Sequence, residues 1–333
     1  MPTRVMIVGL GPIGAGVARQ LVARKIFKVV SAVDIDPAKA GRDLGDVIGL
    51  GKKTGVRVGT DLAPAIRKAK PQIAVLCTSS ILAKVWPQVE TVLKLRVPIV
   101  STAKELAYPW FSNKALARKI DAAARKARVA VVGTGVNPGF AMDALPIALT
   151  AICERVDAVR VDRIQDARIR LLPFQEQIGA GLTPAEFAEQ VKAFAVRHVG
   201  LTESVAMIAD ALGFELDRIT DEIQPKIAEA PVASQFLKVE AGRVCGIIQD
   251  GVGSVKGKPV IALHMEAYLG APETYDHVQV EGSPRLDVKA TSGYHGDVAT
   301  ASIAVNTIPK VLAAPPGLHT MRSLALPSFA GGR

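Results

Sequence analysis

The stretch VMIVGLGPIGAGVARQLV, residues 5–22, decides the first half of the fold. Its glycines Gly9, Gly11 and Gly14 have the spacing G-x-G-x-x-G, directly after a short apolar run and at the start of a helical pattern. In a strand–turn–helix unit, glycines at these positions allow a tight turn, a close approach of the backbone to a pyrophosphate, and close packing of the helix on the strand. The stretch therefore predicts a dinucleotide-binding turn.

The acidic residue that accompanies such a turn is Asp34, which ends the next apolar strand, 20 residues beyond Gly14. A carboxylate there accepts hydrogen bonds from ribose hydroxyls and repels a 2′-phosphate, which favours NAD over NADP. Small basic groups nearby can restore binding of NADP, so the predicted cofactor is NAD or NADP. We assign cofactor contacts to Gly9, Gly11, Pro12, Ile13, Gly14, Asp34, Thr78, Ser79, Thr102 and Asn137.

Beyond this turn, β-branched apolar runs alternate with helical patterns until about residue 132. Nearly continuous apolar strands joined by helices indicate a parallel sheet that is covered on both faces. Residues 1–139 are therefore predicted to form an α/β, Rossmann-type, doubly wound domain with six parallel strands. Longer strand patterns around a helical middle predict that residues 140–296 form an α+β substrate and dimerisation domain with a mostly antiparallel sheet. Residues 297–333 are predicted to be a helix and tail that return to the first domain.

The composition is that of a globular protein, with 49% apolar and 22% charged residues among 333. The formal net charge is +10, but the basic residues are dispersed and only 5% of residues are aromatic, which argues against a nucleic-acid partner. No apolar run reaches the roughly 18 residues that cross a bilayer, and a strand begins within a few residues of the start. Three scattered cysteines show no metal-ligand spacing. We therefore expect a cytoplasmic protein without a metal or a membrane partner.

Ligands of open α/β sheets lie beyond the carboxyl ends of the strands, so the polar stretches that follow the strands should form the site. Thr78 and Ser79 follow the fourth strand, where they hold cofactor hydroxyls unless the segment, through Ser80, simply caps the next helix. Lys104 and Glu105 follow the fifth strand, where they either begin a helix as surface charges or serve chemistry; this position favours the second interpretation. Neighbouring residues on a helix diverge by about 100°, so we expect one of the two to point inward.

Six stretches resemble the dihydrodipicolinate-reductase-like superfamily, and more narrowly the 2,4-diaminopentanoate dehydrogenases and native NAD(P)-dependent amine dehydrogenases. They are GLGPIG, VDIDPAKAGRDLG, STAKELAYPW, GTGVNPGFAMDALP, DARIRLLPFQEQIGAG and GDVATASIAVNTIPKVLAAPPGL, which run over nearly the whole chain. The resemblance implies reversible oxidative deamination of a small amine to a ketone or aldehyde plus ammonia. The leading hypothesis is such an enzyme working as a homodimer through the sheet of its second domain.

The resemblance also implies that an acidic residue after the fifth strand is catalytic. The family pattern there resembles CEEL, whereas this chain reads AKEL, so that Glu105 matches the second acid and Lys104 replaces the first. In more distant dehydrogenases of this topology, a lysine in this segment acts in acid–base catalysis on hydroxyl groups. Both residues are therefore candidate catalytic residues. An alcohol or aldehyde dehydrogenase using Lys104 and an imine reductase of the dihydrodipicolinate reductase type stay open as alternatives, with a non-catalytic dinucleotide sensor behind them.

Candidates for the substrate site come mainly from the second domain. The alternation in LHMEAY places His264 and Glu266 on one face of a strand, which either lines the substrate site or lies in solvent or at a subunit interface. His295 is either a substrate contact or a loop histidine with its own partners, and Arg168 is one of three arginines that could hold an anionic group. We assign substrate-lining positions to Tyr108, Phe140, Arg168, His264, His295 and Asn306.

Overall fold

The computed structural model describes residues 1–331, which divide into two compact units. Unit 1 comprises Met1–Phe140 together with the chain from Asp297 onward, and unit 2 comprises Ala141–Gly296. Residues 332 and 333, the end of the segment predicted to return to the first domain, lie outside the described residues. Each unit has its own sheet, so the two are described separately.

The elements alternate regularly in the first part of the chain and become sheet-rich in the second. In chain order the strands are β1 (Thr3–Val8), β2 (Phe27–Val33), β3 (Val58–Gly59), β4 (Ile73–Leu76), β5 (Ile99–Ser101), β6 (Ala130–Gly133), β7 (Arg155–Asp166), β8 (Arg218–Ile227), β9 (Val232–Ala233), β10 (Lys238–Val239), β11 (Val244–Val255), β12 (Lys258–Tyr268), β13 (Tyr275–Ser283), β14 (Leu286–Ala290) and β15 (Gly317–His319). The α-helices are α1 (Pro12–Ala23), α2 (Leu44–Val47), α3 (Leu62–Ala69), α4 (Leu82–Lys94), α5 (Pro109–Ser112), α6 (Lys114–Ala127), α7 (Ala144–Leu149), α8 (Leu172–Gln177), α9 (Pro184–Lys192), α10 (Leu201–Leu212) and α11 (Gly296–Ala313). Short 3₁₀ helices cover Lys104–Leu106, Thr150–Ile152 and Ala167–Ile169.

Unit 1 is built on a parallel sheet with the strand order β15-β6-β5-β4-β1-β2-β3. Strands β4, β5 and β6 are buried at every position, as expected for strands that are covered on both faces. The order changes direction between β1 and β4, and ligands of open α/β sheets bind at such a switch point. The Rossmann-type α/β class predicted from the sequence is confirmed.

The core of unit 1 explains why α4 lies against the sheet. Leu82, Val85 and Val89 recur at helical spacing along α4 and are at most 1% exposed. They pack in one cluster with Ile120 of α6 and Leu76 of β4. Complete burial of one such side chain contributes about 1.5–3 kcal/mol, so this face fixes α4 and the site residues that precede it.

Unit 2 is an α+β unit whose six-stranded sheet has the order β14-β13-β7-β12-β11-β8. Only the β7–β12 pairing is parallel within this sheet, so the predicted mostly antiparallel sheet is confirmed. Helix α10 covers one face closely: a Cβ on Gly251 would lie 2.9 Å from Leu201 Cγ, and one on Gly253 would lie 2.8 Å from Val205 Cγ1. The opposite face carries half-buried side chains, among them Ile248, Val252, His264 and Glu266. We call it the open face of unit 2.

The sheet of unit 1 has one strand more than the six that the sequence predicts. Strand β15 pairs in parallel with β6 at the edge, directly after Pro315 and Pro316. Strand β15 has three residues, which are too few to show a strand periodicity. It also begins with Gly317, at φ +141°, and a glycine at this position does not indicate an extended segment. Leu318 donates its backbone N–H to Asp121 of α6 at 2.9 Å, a long-range contact that holds this edge.

Candidate active site

The turn between β1 and α1 requires glycine at two of its three motif positions. Gly9 has φ +86°, and an added Cβ would lie 2.5 Å from the carbonyl oxygen of Cys77. A Cβ on Gly14 would lie 1.9 Å from the Gly9 carbonyl oxygen, so only glycine lets α1 begin this close to the turn. Gly11 is the N-cap of α1, and a Cβ there would meet nothing within 4 Å. The space in front of the helix N–H groups is therefore open to an anionic ligand.

Asp34, which follows β2, is held by three donors. It is 7% exposed; its Oδ2 accepts the Leu10 N–H at 2.6 Å, and its Oδ1 accepts the Asp36 N–H at 2.9 Å. The Lys39 ammonium lies 3.2 Å from Oδ2. Burial alone would raise the pKa of Asp34, but the two N–H groups and Lys39 outweigh it, and the pKa lies below its usual value. The site therefore holds an ionised carboxylate where ribose hydroxyls are expected.

A cavity of about 500 Å³ opens beside the glycine turn, wholly within unit 1. Its walls include Gly9, Gly11, Asp34, Ile35, Lys39 and Thr78. Ile35 is 87% exposed although its side chain is large and apolar, and a flat apolar group such as an adenine ring would cover it. One cavity thus combines an open glycine turn, an ionised carboxylate at a strand end and an exposed apolar wall. This combination fits a dinucleotide.

The other predicted cofactor contacts lie at the carboxyl ends of β4 and β5 and at the start of α1. Thr78 lines the cavity and donates its hydroxyl to Gln88 at 2.7 Å. The Ser79 hydroxyl accepts the Ile81 N–H at 3.2 Å and so supports the entry to α4, while its contact with the cofactor stays a prediction. Thr102 is half-buried and donates its N–H to the β4 carbonyl of Leu76 at 2.9 Å. Pro12, exposed, and Ile13, half-buried, open α1.

Cys77 also lines the cavity, and burial raises the pKa of its thiol to about 12, although a hydrogen bond with Thr102 partly offsets the effect. The residue is therefore a neutral thiol in the wall of the cavity near neutral pH. Reactive cysteines have lowered pKa values, and the shift of Cys77 is in the opposite direction. Its contribution is apolar surface beside the glycine turn.

The segment after β5 turns at once into the 3₁₀ helix Lys104–Leu106. Lys104 and Glu105 are both half-buried. The Glu105 Oε2 accepts the backbone N–H of Leu82, the first residue of α4, at 2.7 Å, and its own N–H donates to the Ser80 carbonyl at 3.1 Å. Within residues 1–331 no second hydrogen bond to the Glu105 carboxylate is seen. This carboxylate is thus oriented through one oxygen only.

The glycine-rich loop after β6 packs against that turn. A Cβ on Gly133 would lie 2.4 Å from the carbonyl carbon of Leu106, so the end of β6 supports the backbone that carries Glu105. Gly139 has φ +125°, and a Cβ there would lie 2.5 Å from the Gly135 nitrogen. The loop therefore depends on glycine at these positions for its close packing.

Three predicted site residues of unit 1 border this loop or the segment after β5. Asn137 is 5% exposed and precedes Pro138 through a cis peptide bond. Tyr108 is 8% exposed, and Phe140, which ends the first segment of unit 1, is half-buried. Their contacts with cofactor or substrate stay predictions.

The three arginines around the end of β7 divide into an exposed one, Arg168, and two buried ones, Arg163 and Arg170. Arg168, the predicted substrate contact, is exposed and pairs with Asp166 at 2.6 Å. Arg170 is 8% exposed; it donates to Gln165 at 2.8 Å and lies 3.8 Å from the centroid of the Phe174 ring. Spacing alone could not tell which arginine would be buried, because both lie in the irregular segment after β7. The substrate role of Arg168 stays a prediction.

His264 belongs to an ionic network on the open face of unit 2. Its Nδ1 lies 2.7 Å from Asp250 Oδ1 and its Nε2 lies 3.3 Å from Glu266 Oε1, while Lys226 Nζ lies 3.0 Å from Glu266 Oε2. Burial alone would lower the pKa of His264, but the two carboxylates outweigh it and raise the pKa above its usual value. His295 is exposed in the loop before α11. The substrate roles of both histidines stay predictions.

Asn306, the remaining predicted substrate contact, lies in unit 1 and contacts the segment at Ala330. Its Oδ1 accepts Arg24 Nη1 at 2.6 Å and the Ala330 N–H at 3.0 Å. The Arg24 guanidinium also lies 4.7 Å from the centroid of the Phe329 ring. These contacts anchor the tail to α1 and α11, and a substrate role of Asn306 stays a prediction.

Residues 1–331 contain neither a metal-binding cluster nor a membrane-spanning helix. No group of three or more His, Cys, Asp or Glu side chains in this part of the chain is arranged to hold a metal ion. No helix among the described residues has the length and apolar character required to cross a membrane.

Comparisons with known proteins agree along the whole chain. A family model described as the 2,4-diaminopentanoate dehydrogenase C-terminal domain matches residues 140–332. The 2,4-diaminopentanoate dehydrogenase of Acetoanaerobium sticklandii is 32% identical, over 97% of this chain and 94% of its own. The solved structure of an amine dehydrogenase from Mycobacterium smegmatis is 27% identical with a TM-score of 0.88, over 99% of this chain and 98% of that one. A dipicolinate-bound dihydrodipicolinate reductase from Paenisporosarcina sp. TG-14 shares the fold, with a TM-score of 0.54 at 14% identity over 97% of this chain and 99% of that one.

A parallel sheet with an open glycine turn and an acidic strand end at its switch point is the framework of the NAD(P)-dependent oxidoreductases. The relatives place this protein among those that act on CH–NH₂ groups. More particularly, the chain belongs to the 2,4-diaminopentanoate dehydrogenase family. The resemblance predicted from the sequence is confirmed, and the cofactor is a nicotinamide dinucleotide.

Proposed function

We propose that the protein catalyses the reversible oxidative deamination of a small primary amine. In this reaction the amine, NAD(P)⁺ and water give a ketone or aldehyde, ammonia, NAD(P)H and a proton; the reverse direction is reductive amination. The observation that carries the proposal is the match to a 2,4-diaminopentanoate dehydrogenase over 97% of the chain. The cavity of unit 1 supports it, because the cavity fits the dinucleotide that such a reaction needs.

The residues of unit 1 would bind and orient the cofactor. The N-terminus of α1, left open at Gly11, would receive the pyrophosphate, and Asp34 would accept the hydroxyls of the adenosine ribose. Ile35 would cover one face of the adenine ring. When bound, the nicotinamide accepts a hydride from the carbon that carries the amino group.

Glu105 is the proposed catalytic carboxylate. Loss of hydride leaves the substrate as an iminium cation, which a nearby carboxylate stabilises electrostatically. The contact of Oε2 with the Leu82 N–H orients the group, while within the described chain the other oxygen has no hydrogen-bond partner. That oxygen would accept a proton as water adds to the iminium carbon and return one to nitrogen as ammonia departs.

A second candidate function is an NAD(P)-dependent alcohol or aldehyde dehydrogenase in which Lys104 transfers the proton. The observation that favours it is the hydrogen bond from the Leu82 N–H to Glu105, because a carboxylate that caps α4 has a structural role without any part in catalysis. Lys104 stands in the same 3₁₀ turn, half-buried, one residue earlier. The imine reductase alternative has the shared fold of a dihydrodipicolinate reductase as its only support.

Initial rates of NAD and NADP reduction with a panel of amines, diamines, amino acids and alcohols test these functions. Turnover of an amine with one ammonia released per reduced cofactor supports deamination, whereas turnover of alcohols alone overturns it. Two matched variants, Glu105→Gln and Lys104→Met, each remove one charge and keep the approximate shape of the side chain. Deamination requires that Glu105→Gln loses the activity and that Lys104→Met retains most of it.

The protein is further proposed to work as a homodimer through the open face of unit 2. That face combines apolar side chains such as Ile248 and Val252 with the paired charges around His264, a mixture suited to a self-complementary interface. Light scattering after gel filtration should give twice the chain mass, and Val252→Glu should give the monomer. A wild-type monomer at micromolar concentration would refute this proposal. A cytoplasmic location stays a prediction.

A further inference from the structure

Lys39 occupies an unusual place in the dinucleotide cavity. Its ammonium lies 3.2 Å from Asp34 Oδ2 and 3.3 Å from Asp36 Oδ2, and its side chain is 24% exposed along the cavity wall. A positively charged side chain is thus already paired with the carboxylate that would accept the hydroxyls of the adenosine ribose. This inference rests on the proposed function, since it concerns the cofactor that the same cavity would hold.

Two arginines lie close to Lys39 in the chain, Arg42 on the turn between β2 and α2 and Arg57 directly before β3. Arg42 Nη1 donates to the Ala38 carbonyl at 3.4 Å, and Arg57 Nη1 donates to the Gly41 carbonyl at 2.9 Å. Together with Lys39, these guanidinium groups give three positive charges, which balance the three carboxylates of Asp34, Asp36 and Asp43. The segment therefore has no net negative charge to oppose a phosphate, and Lys39 is the cation among these groups that lines the cavity.

Asp34 does not depend on Lys39 to stay satisfied. The Leu10 N–H at 2.6 Å and the Asp36 N–H at 2.9 Å each bond one oxygen of the buried carboxylate. The ammonium can therefore rotate away and leave both carboxylate oxygens hydrogen-bonded. A lysine suits such a movement because its charge sits on a flexible four-carbon stem.

We infer that Lys39 is a specificity-determining residue that lets the protein accept the 2′-phosphate of NADP as well as the 2′-hydroxyl of NAD. With NAD, Lys39 stays paired with Asp34 and Asp36, and Asp34 accepts hydrogen bonds from the ribose hydroxyls. With NADP, the ammonium moves from Asp34 to the 2′-phosphate and shields the phosphate from the carboxylate. One side chain thus serves both cofactors by changing its partner.

Binding of cofactor fragments tests the inference without any need for turnover. ADP-ribose and 2′-phospho-ADP-ribose are titrated by calorimetry into the wild-type protein, Lys39→Met and Lys39→Arg. Wild type should bind both fragments. Lys39→Met should bind the phosphorylated fragment at least about 10-fold more weakly, because a charged hydrogen bond is lost. It should bind ADP-ribose within about threefold of wild type, and Lys39→Arg should retain most of the affinity for the phosphorylated fragment.

Lys53→Ala is the matched control, because this exposed lysine pairs with Asp46 and does not line the cavity. It removes the same charge from unit 1 and should leave both affinities within about twofold, since exposed charges are screened by salt. Three results would each overturn the inference. Lys39→Met could bind both fragments more weakly by the same factor, or bind the phosphorylated fragment with unchanged affinity. The wild type could bind only ADP-ribose. A wild type that binds neither fragment contradicts the proposed function itself, and unchanged thermal unfolding of Lys39→Met excludes misfolding as the cause.

Discussion

The carboxylate of Glu105 accepts a 2.7 Å hydrogen bond from the backbone N–H of Leu82 and so caps helix α4 from another part of the chain. The N-cap position of α4 is Ile81, whose side chain makes no cap hydrogen bond. The first N–H groups of a helix lack partners within the helix, and an outside carboxylate satisfies one of them. Glu105 therefore belongs to the candidate catalytic turn and also satisfies the first N–H group of α4.

This shared contact predicts that two substitutions at Glu105 separate structure from chemistry. Glu105→Ala should lower the free energy of unfolding by about 1 kcal/mol, because a helix cap is lost. Glu105→Gln keeps an oxygen acceptor for the Leu82 N–H and should lose less than about half of that. If the carboxylate moves protons, both variants should lose about 10²–10⁴-fold in kcat. Urea unfolding and initial rates measure the two effects, and a fully active Glu105→Gln enzyme would leave Glu105 as a cap alone.

The glycine turn predicts opposite outcomes for two Gly→Ala substitutions. Gly11→Ala should leave the free energy of unfolding within about 0.5 kcal/mol, because the added Cβ meets nothing within 4 Å. It should nevertheless weaken NADH binding at least about 10-fold, because the Cβ enters the space kept for the pyrophosphate. Gly14→Ala should cost about 1–3 kcal/mol or more, since its Cβ would overlap the Gly9 carbonyl oxygen. Thermal unfolding and fluorescence titration with NADH distinguish them; a Gly11→Ala protein that binds NADH normally would contradict the assignment of this turn.

Local signals in the sequence predicted the frame of the site. The spacing of Gly9, Gly11 and Gly14 and the apolar run that ends at Asp34 each lie within one or two elements, where periodicity and spacing report directly on backbone geometry. The fold class followed from the alternation of such elements. These features needed no knowledge of long-range contacts.

Contacts between distant or irregular segments could not be read in the same way. The pairing of Lys39 with Asp34 depends on the exact path of a turn, and the pairing of Glu105 with Leu82 joins residues 23 positions apart. The hydrogen bonds of the Asn306 oxygen with Arg24 and with the Ala330 N–H likewise join segments that lie far apart in the sequence. The polar residue types were visible in the sequence, but their partners were set by tertiary packing.

His264 predicts a pH-dependent contribution to stability. Its pKa is raised in the folded protein by Asp250 and Glu266, against the opposing effect of burial. Protonation therefore stabilises the fold below the unfolded pKa of about 6.5, and this stabilisation is lost as the pH rises through the folded pKa. Urea unfolding should give wild type a higher free energy of unfolding than His264→Gln at about pH 5.5. This difference should disappear by about pH 9.

The cause of the raised pKa can be measured on the ring itself. Asp250→Asn should lower the pKa of His264, followed by NMR titration of the imidazole, because the nearest carboxylate is 2.7 Å away and loses its charge. Asp287→Asn is the control, since that carboxylate contacts His277 instead. An equal response of His264 to both substitutions would show that the effect is not local.

The ion pair between Arg163 and Asp276 is the most deeply buried charge pair among those described in unit 2, with side chains 1% and 2% exposed. Burial lowers the pKa of Arg163 and raises that of Asp276, against their mutual attraction. Both residues also hold Tyr294: Arg163 Nη2 donates to its carbonyl at 2.8 Å, and Asp276 Oδ2 accepts its N–H at 2.7 Å. The pair therefore anchors the loop that carries His295.

Removing one partner should cost far more than removing both. Arg163→Met should lower the free energy of unfolding by about 3–5 kcal/mol, because Asp276 is left as an unpaired buried charge, whereas Arg163→Met with Asp276→Leu should recover much of that loss. Arg168→Met breaks a pair whose arginine is exposed to solvent and should cost about 1 kcal/mol or less. Urea unfolding of the four proteins measures these differences. A double variant no more stable than Arg163→Met would mean that the anchoring of Tyr294, which the double variant cannot restore, contributes more to stability than the neutralisation of the buried charge.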